Sequence, residues 1–276
     1  MSGVKKKGYV FGEKKMTNMT MFLRRGSRVL PLVAGALLSL TSVSMANPLG
    51  LEQSPIDIVN PVFSVLPPLV FDYKTTSLHV INTGSPHEEA TIRAVVPAGS
   101  SVVLSAVTYN LLQFHFHIEA EHYLNGHRPE MELHLVHSDA GGNLLVVGRW
   151  IELGAHNALL NEMFANLPPT IADFYDIASF NLAGLLPGNR GTYRYPGSLT
   201  TEPFTEGVKW NMFDEPLYMD QAQIHAFAAL FPDENRRGVQ ALNTRVVLSD
   251  IPEPATFLLS GLGGLVLVVL RRRRRA

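Results

Sequence analysis

The sequence predicts a mostly β (α+β) fold, a single domain built around one large sheet. Three observations carry that expectation. Short alternating apolar and polar runs separated by Gly, Pro and Asn dominate residues 47–251, the 3.6-residue helical period surfaces only twice, and no internal repeat or long linker divides the stretch. With 276 residues the chain has length enough for one sizeable core or two small ones, and the absence of a linker selects one.

Taken in order, residues 1–46 read as an export signal. Arg24, Arg25 and Arg28 precede the apolar run VLPLVAGALLSLTSV, and Ser44-Met45-Ala46 offers a small-x-small cleavage site before Asn47. A membrane helix needs about 20 apolar residues, more than this run supplies. The Arg24-Arg25 pair faintly suggests twin-arginine export, but the residues after it fit that pathway poorly. The Lys-rich start is longer than a signal requires, so Met16, Met19 and Met21 are alternative points of initiation.

Within residues 47–251 the strand-like runs are SLHVIN (77–82), ATIRAVV (90–96), SVVLSAV (101–107), NLLQFHFH (110–117), EMELHLVH (130–137), LLVVGRWIEL (144–153) and VKWNMF (208–213). Helical spacing appears in HNALLNEMFANL (156–167) and DQAQIHAFAALF (220–231).

The last element, residues 252–276, begins Pro252-Glu253-Pro254. It continues with the mostly apolar run 255–270 and ends on Arg271 to Arg275. Sixteen helical residues rise about 24 Å, short of a roughly 30 Å hydrocarbon core, although arginine stems can snorkel. The arginine cluster would hold that end on the cytoplasmic side of an inner membrane. The order Pro-Glu-Pro, apolar helix, Arg cluster resembles the PEP-CTERM sorting tail of Gram-negative bacteria. That resemblance implies recognition by an exosortase-type sorting enzyme, and a periplasmic, cell-surface or extracellular-matrix destination. A plain C-terminal transmembrane helix is the alternative.

The formal net charge of -1 hides an asymmetry, because both ends are basic. Between Asn47 and Ile251 stand 10 basic and 22 acidic residues, a balance near -12 that would repel nucleic acid. There is no cysteine, so an exported domain has only its core or a metal to rely on.

The stretch QFHFHIEAEHYLNGHRPEMELHLVH, Gln113 to His137, holds six of the ten histidines. Successive strand residues face opposite ways, so Gln113, His115 and His117 share one face while Phe114 and Phe116 take the other. In the second run Glu132, His134 and Val136 share a face, opposite Met131, Leu133, Leu135 and His137. Asn125-Gly126 lets that run return antiparallel beside the first. His115, His117 and His134 then offer three nitrogens and an open fourth position, the arrangement of a catalytic zinc site. Gln113 and Glu132 lie where they can accept the second ring N–H of such ligands. A single one of these histidines would more often be a satisfied core residue; three on matching faces point to a metal.

These residues resemble the α-class carbonic anhydrases. The resemblance runs from about Glu52 to Val247 and rests on QSPIDI (53–58), QFHFH, Glu121-His122, MELHLVH, LLVVG, YPGSLTT, TEGVKW and NRRGVQALNTR. It implies a central, mostly antiparallel, twisted ten-stranded sheet and the reversible hydration of carbon dioxide to bicarbonate and a proton by hydroxide on Zn2+. It makes His115, His117 and His134 the ligands, supported by Gln113, Glu132 and the Asn235 carbonyl. Thr200 would orient the hydroxide and donate to Glu121. Val136, Val146, Leu199 and Trp210 would line an apolar carbon dioxide pocket, with Thr201 contacting bicarbonate. His122 would brace the fold near Tyr195, leaving His127 to a loop and His137 to the core.

The family pattern also breaks. The family's proton shuttle is a histidine in Asn-Gly-His, whereas this chain reads NTGSPHEEATI: Ser85 stands at the shuttle position and His87 lies two residues on as the candidate shuttle. The aromatic-rich segment of the active-site rim is missing before QSPIDI. Phe204 occupies the place of a cysteine that many bacterial members use as a staple, and Glu202 replaces a usual proline beside the pocket. The alternative reading is therefore a slow or inactive carbonic-anhydrase-like binding or matrix protein.

Overall fold

The computed structural model describes residues 50–84 and 90–252. The predicted export signal, Ser85 and His87, the apolar run 255–270 and Arg271–Arg275 lie outside the described residues.

The strands are β1 (Asp57–Ile58), β2 (Val62–Phe63), β3 (Val70–Asp72), β4 (Thr75–Asn82), β5 (Ile92–Val95), β6 (Ser101–Leu104) and β7 (Val107–Ile118). They continue with β8 (Tyr123–Leu124), β9 (Met131–Ser138), β10 (Leu144–Leu153), β11 (Phe174–Asn181), β12 (Thr192–Ser198), β13 (Glu206–Met219) and β14 (Leu248–Ser249). Among the described residues two α-helices, α1 (Asn161–Phe164) and α2 (Gln221–Ala228), flank β11–β13 in the chain. Ten strands form one hydrogen-bonded path, β11-β4-β5-β7-β9-β10-β13-β12-β14-β2, and short β3 and β6 bring the sheet to twelve. Within this sheet pairing is parallel at β10–β13 and β14–β2 and antiparallel at the other ladders, so the sheet is mixed, while β1 and β8 pair parallel apart from it.

The central strands are buried on both faces. Phe114, Phe116, Leu133, Leu135, Val147 and Phe213 join one apolar cluster; Val146, Trp150, Trp210 and Met212 join another with Ile56 and Tyr195. Phe116 meets Phe164 and Phe227 edge-on, which seats α1 and α2 against the first cluster. Doubly buried β10 consequently reads as a nearly continuous apolar run, whereas β9 carries Glu132, His134 and His137 into the buried layer.

Three sequence expectations are corrected. SVVLSAV is not one strand: Ser105 and Ala106 take φ of 50° and 64°, and Leu104 pairs with Val107 across that two-residue turn. Left-handed backbone at both central residues is what a tight hairpin requires, and neither residue advertises it. The predicted helix 156–167 shrinks to a single turn. Asn157 Oδ1 accepts the Leu160 N–H, while the Asn157 backbone both donates to Gln223 Oε1 and accepts from Gln223 Nε2, so helical bonding starts only at Leu160. The predicted helix 220–231 forms over eight residues, opened by an Asp220–Gln223 capping box.

Candidate metal centre

β7 and β9 pair antiparallel with His115 opposite His134 and His117 opposite Glu132, after a bulge between Leu111 and Gln113 sets the register. Register and parity together bring His115, His117 and His134 to one spot, their ring centroids 4.7 to 5.1 Å apart. One ring nitrogen from each lies within 4.8 Å of the others.

The second nitrogen of each ring is engaged elsewhere. His115 Nδ1 donates to Gln113 Oε1 at 2.9 Å, His117 Nδ1 to the Asn235 carbonyl at 2.6 Å, and His134 Nε2 to Glu132 Oε1 at 2.6 Å. These bonds fix the tautomers and leave Nε2 of His115 and His117 and Nδ1 of His134 for the centre. Asn235 is itself fixed, its side chain bonding the Ile118 N–H and the carbonyls of Ala90 and Phe116.

Glu132 serves two rings. Its Oε1 also accepts from His122 Nδ1 at 2.7 Å, and Oε2 takes the His122 N–H. His122 Nε2 then meets the Tyr195 hydroxyl at 2.5 Å, which meets Ser54 Oγ at 2.9 Å. His122, Glu132 and His134 also cluster closely enough to hold an ion, but their facing atoms are already spent on one another. Burial pushes the Glu132 carboxyl up, and the His122 and His134 imidazoles outweigh it, holding the group below the usual carboxylate range.

The donor set fits a divalent metal. His117 Nε2 is buried and has no hydrogen-bond partner, an orphan that a ligated ion would satisfy. Burial, with help from His117, His134 and Arg93, holds the His115 imidazole well below its ordinary value. Burial also lowers His117 against the opposing pull of Glu121. The neutral imidazole is the form that binds metal.

Beside the histidines lies a cavity of about 90 Å³. Val136, Val146, Leu199, Thr200, Thr201 and Trp210 all line it. Thr91 and Arg93 line it too and escaped the sequence reading; their two-residue spacing on ATIRAVV puts them on one face without saying which face meets the histidines. A larger cavity of about 420 Å³ opens elsewhere, between residues 169–171 and 230–234. Converging ring nitrogens, not volume, select the site.

Two expected contacts differ. Glu121 Oε1 accepts the Arg237 backbone N–H, while Oε2 has no hydrogen bond and lies 3.7 Å from His117 Nε2 and 3.9 Å from His134 Nδ1. The anticipated Thr200 bond to Glu121 is therefore not made here. Glu202 is exposed and does not line the cavity.

A family model described as eukaryotic-type carbonic anhydrase matches residues 42–251, most of the chain. The chain belongs to the α-class carbonic anhydrase family. The carbonic anhydrase of Neisseria gonorrhoeae is 36% identical over 200 residues, which cover 72% of this chain and 77% of that protein. The α-carbonic anhydrase of Thermovibrio ammonificans, solved with the inhibitor sulfanilamide, superimposes with a TM-score of 0.68 at 38% identity, over 72% of this chain and 87% of that one. That of Photobacterium profundum gives 0.67 at 35%, over 72% and 89%. As a carbonic anhydrase the protein is an enzyme of carbon dioxide hydration, in a zinc-dependent family, and its three histidines could hold a metal. A second match, to the PEP-CTERM protein-sorting motif, spans residues 250–275 and suggests export to the surface or exterior of a Gram-negative cell. Among the described residues no helix is long and apolar enough to cross a membrane.

Proposed function

We propose that the protein is a zinc carbonic anhydrase working outside the inner membrane, with His115, His117 and His134 holding the ion. The observation that carries this reading is the set of three ring nitrogens within 4.8 Å, each ring fixed through its other nitrogen. Zinc bound there supplies Lewis acidity that brings a coordinated water to a pKa of about 7, the figure known for carbonic anhydrases as a class. Three neutral ligands leave the charge of the ion uncancelled, which favours that shift.

The chain does the rest. Val136, Val146, Leu199 and Trp210 keep a dry wall where apolar carbon dioxide can sit beside the nucleophile. Thr200 would accept a hydrogen bond from the attacking oxygen and donate its own to Glu121 Oε2, an acceptor with no other hydrogen bond. Thr201 contacts bicarbonate. The excess proton leaves by a modified route near Ser85 and His87. We assign residues 1–46 to a signal peptide, 47–251 to the catalytic domain and 252–276 to the sorting tail, whose apolar run 255–270 anchors it in the inner membrane until an exosortase acts.

The deciding experiment is oxygen-isotope exchange on residues 47–251 with metal analysis, in weak and in strong buffer. One zinc per chain is expected, with hydration that quickens as buffer is added. No zinc, or no turnover beyond free zinc, ends the reading. Zinc without turnover supports the alternative, a matrix protein that has retired its site, which the unmade Thr200–Glu121 bond favours.

A further inference from the structure

Arg93 stands directly across from His115 in the β5–β7 ladder. Paired residues share a face, so the Arg93 side chain leaves the sheet on the side of the three histidines, and parity places Thr91 there too. Thr91 is spent on the backbone, its Oγ1 bonding the Phe116 carbonyl at 2.5 Å. Arg93 is half-buried and lines the cavity, where it is the one permanently charged side chain among the described lining residues. The same cavity carries the apolar side chains of Val136, Val146, Leu199 and Trp210, so carbon dioxide has a surface of its own.

The two sides of the reaction differ in charge. Carbon dioxide is neutral, whereas bicarbonate is a planar anion whose oxygens suit the fork of a guanidinium. In a cavity of about 90 Å³ a fixed cation acts with little water between it and the anion. We propose that Arg93 joins Thr201 in binding bicarbonate in this cavity, as the charged partner that tightens the anionic side of the reaction and slows release of product. The proposal rests on the carbonic anhydrase reading above.

Thermodynamics dictates where the effect shows. At fixed pH the ratio of the two kcat/KM values is set by the overall equilibrium, so no residue can favour one direction in that ratio. A residue that holds bound bicarbonate moves its Kd, and moves KM and kcat for dehydration together.

Full-length zinc-loaded protein is compared with Arg93→Gln and Arg93→Lys by calorimetric titration with bicarbonate and with thiocyanate. Dehydration kinetics are run alongside. Arg93→Gln is expected to weaken both anions about tenfold, equivalent to about 1.4 kcal/mol, and to raise dehydration KM and kcat together. Arg93→Lys should fall between the parent and Arg93→Gln, since it keeps the charge and loses the fork. Parental anion affinity in an Arg93→Gln protein with full zinc and an unshifted melting temperature overturns the proposal. Should that variant not fold, Arg93→Met keeps the aliphatic stem and is judged by the same outcomes. A parent that binds zinc but hydrates no carbon dioxide would end the enzymatic reading, while calorimetry would still decide whether Arg93 holds the anion.

Discussion

The residue that parity separates from the metal site, His137, supplies a measurable pH dependence. It is fully buried, its Nε2 accepting from the Tyr73 hydroxyl at 2.7 Å and its Nδ1 donating to the Leu145 carbonyl at 3.2 Å. Burial lowers its pKa to about 4. A histidine in the unfolded chain titrates near 6.5, so above that value neither state binds the proton. As pH falls from about 6.5 to about 4 the unfolded chain gains a proton that the folded protein refuses, and up to about 3 kcal/mol of stability is lost. Urea unfolding of the parent should therefore weaken across that window. His137→Gln, which cannot titrate, should weaken less; identical slopes would remove His137 as the cause. The convergence of His115, His117 and His134 could be read from period-two alternation because all three sit on regular strand. Arg93 could not, since an arginine on a short alternating run looks like any solvated face until the neighbouring strand is known.

At the scale of elements, the YPGSLTT motif owes its glycine to crowding. A Cβ at Gly197 on β12 would stand 2.1 Å from Ser54 Oγ, 2.8 Å from Trp210 Cδ1 and 2.9 Å from Tyr195 Cε2. None of these can retreat easily. Ser54 and Tyr195 belong to the chain of hydrogen bonds that ends on Glu132, and the Trp210 indole donates to the Ser198 carbonyl. Gly197→Ala should cost about 1–3 kcal/mol and lower zinc affinity as well, because the disturbance reaches the carboxylate that orients His134. Thermal unfolding and competition with a chelator check the two effects; a stability loss with parental zinc affinity would uncouple β12 from the metal centre. The strands nearest the site were legible in sequence, whereas the elements around them were less so. The hairpin at Ser105–Ala106 depends on left-handed backbone that no glycine signals, and the one-turn α1 depends on a partner, Gln223, distant in sequence. β11, too, escaped the reading: two bulky residues, Phe174 and Tyr175, open it, and a register shift between Ile177 and Phe180 breaks its alternation.

Across the whole domain, noncovalent ties stand where many bacterial members of the family carry the staple that this cysteine-free chain lacks. Glu206 Oε1 accepts from the Glu52 N–H and Gln53 Nε2, and Arg237 donates to Gln53 Oε1 and the Ser54 carbonyl. The Arg237 guanidinium lies 3.7 Å from the centroid of the Phe204 ring, the residue standing in the place of cysteine. The missing cysteine was legible; its replacement was not, because Gln53, Phe204 and Arg237 meet only in three dimensions.

The parallel pairing of β10 with β13 also sets a timetable. The three imidazoles come from a stretch of 20 residues, but Val146 meets Trp210 only when strands 64 residues apart are joined. Closing the longer separation costs about 1 kcal/mol more chain entropy than closing the shorter one. An exported polypeptide arriving unfolded would thus become a chelator before it has a chamber, capturing its ion in open solvent and drying the surroundings afterwards. In refolding with cobalt, visible absorbance should rise ahead of tryptophan burial; the reverse order would mean that the wall waits for no metal.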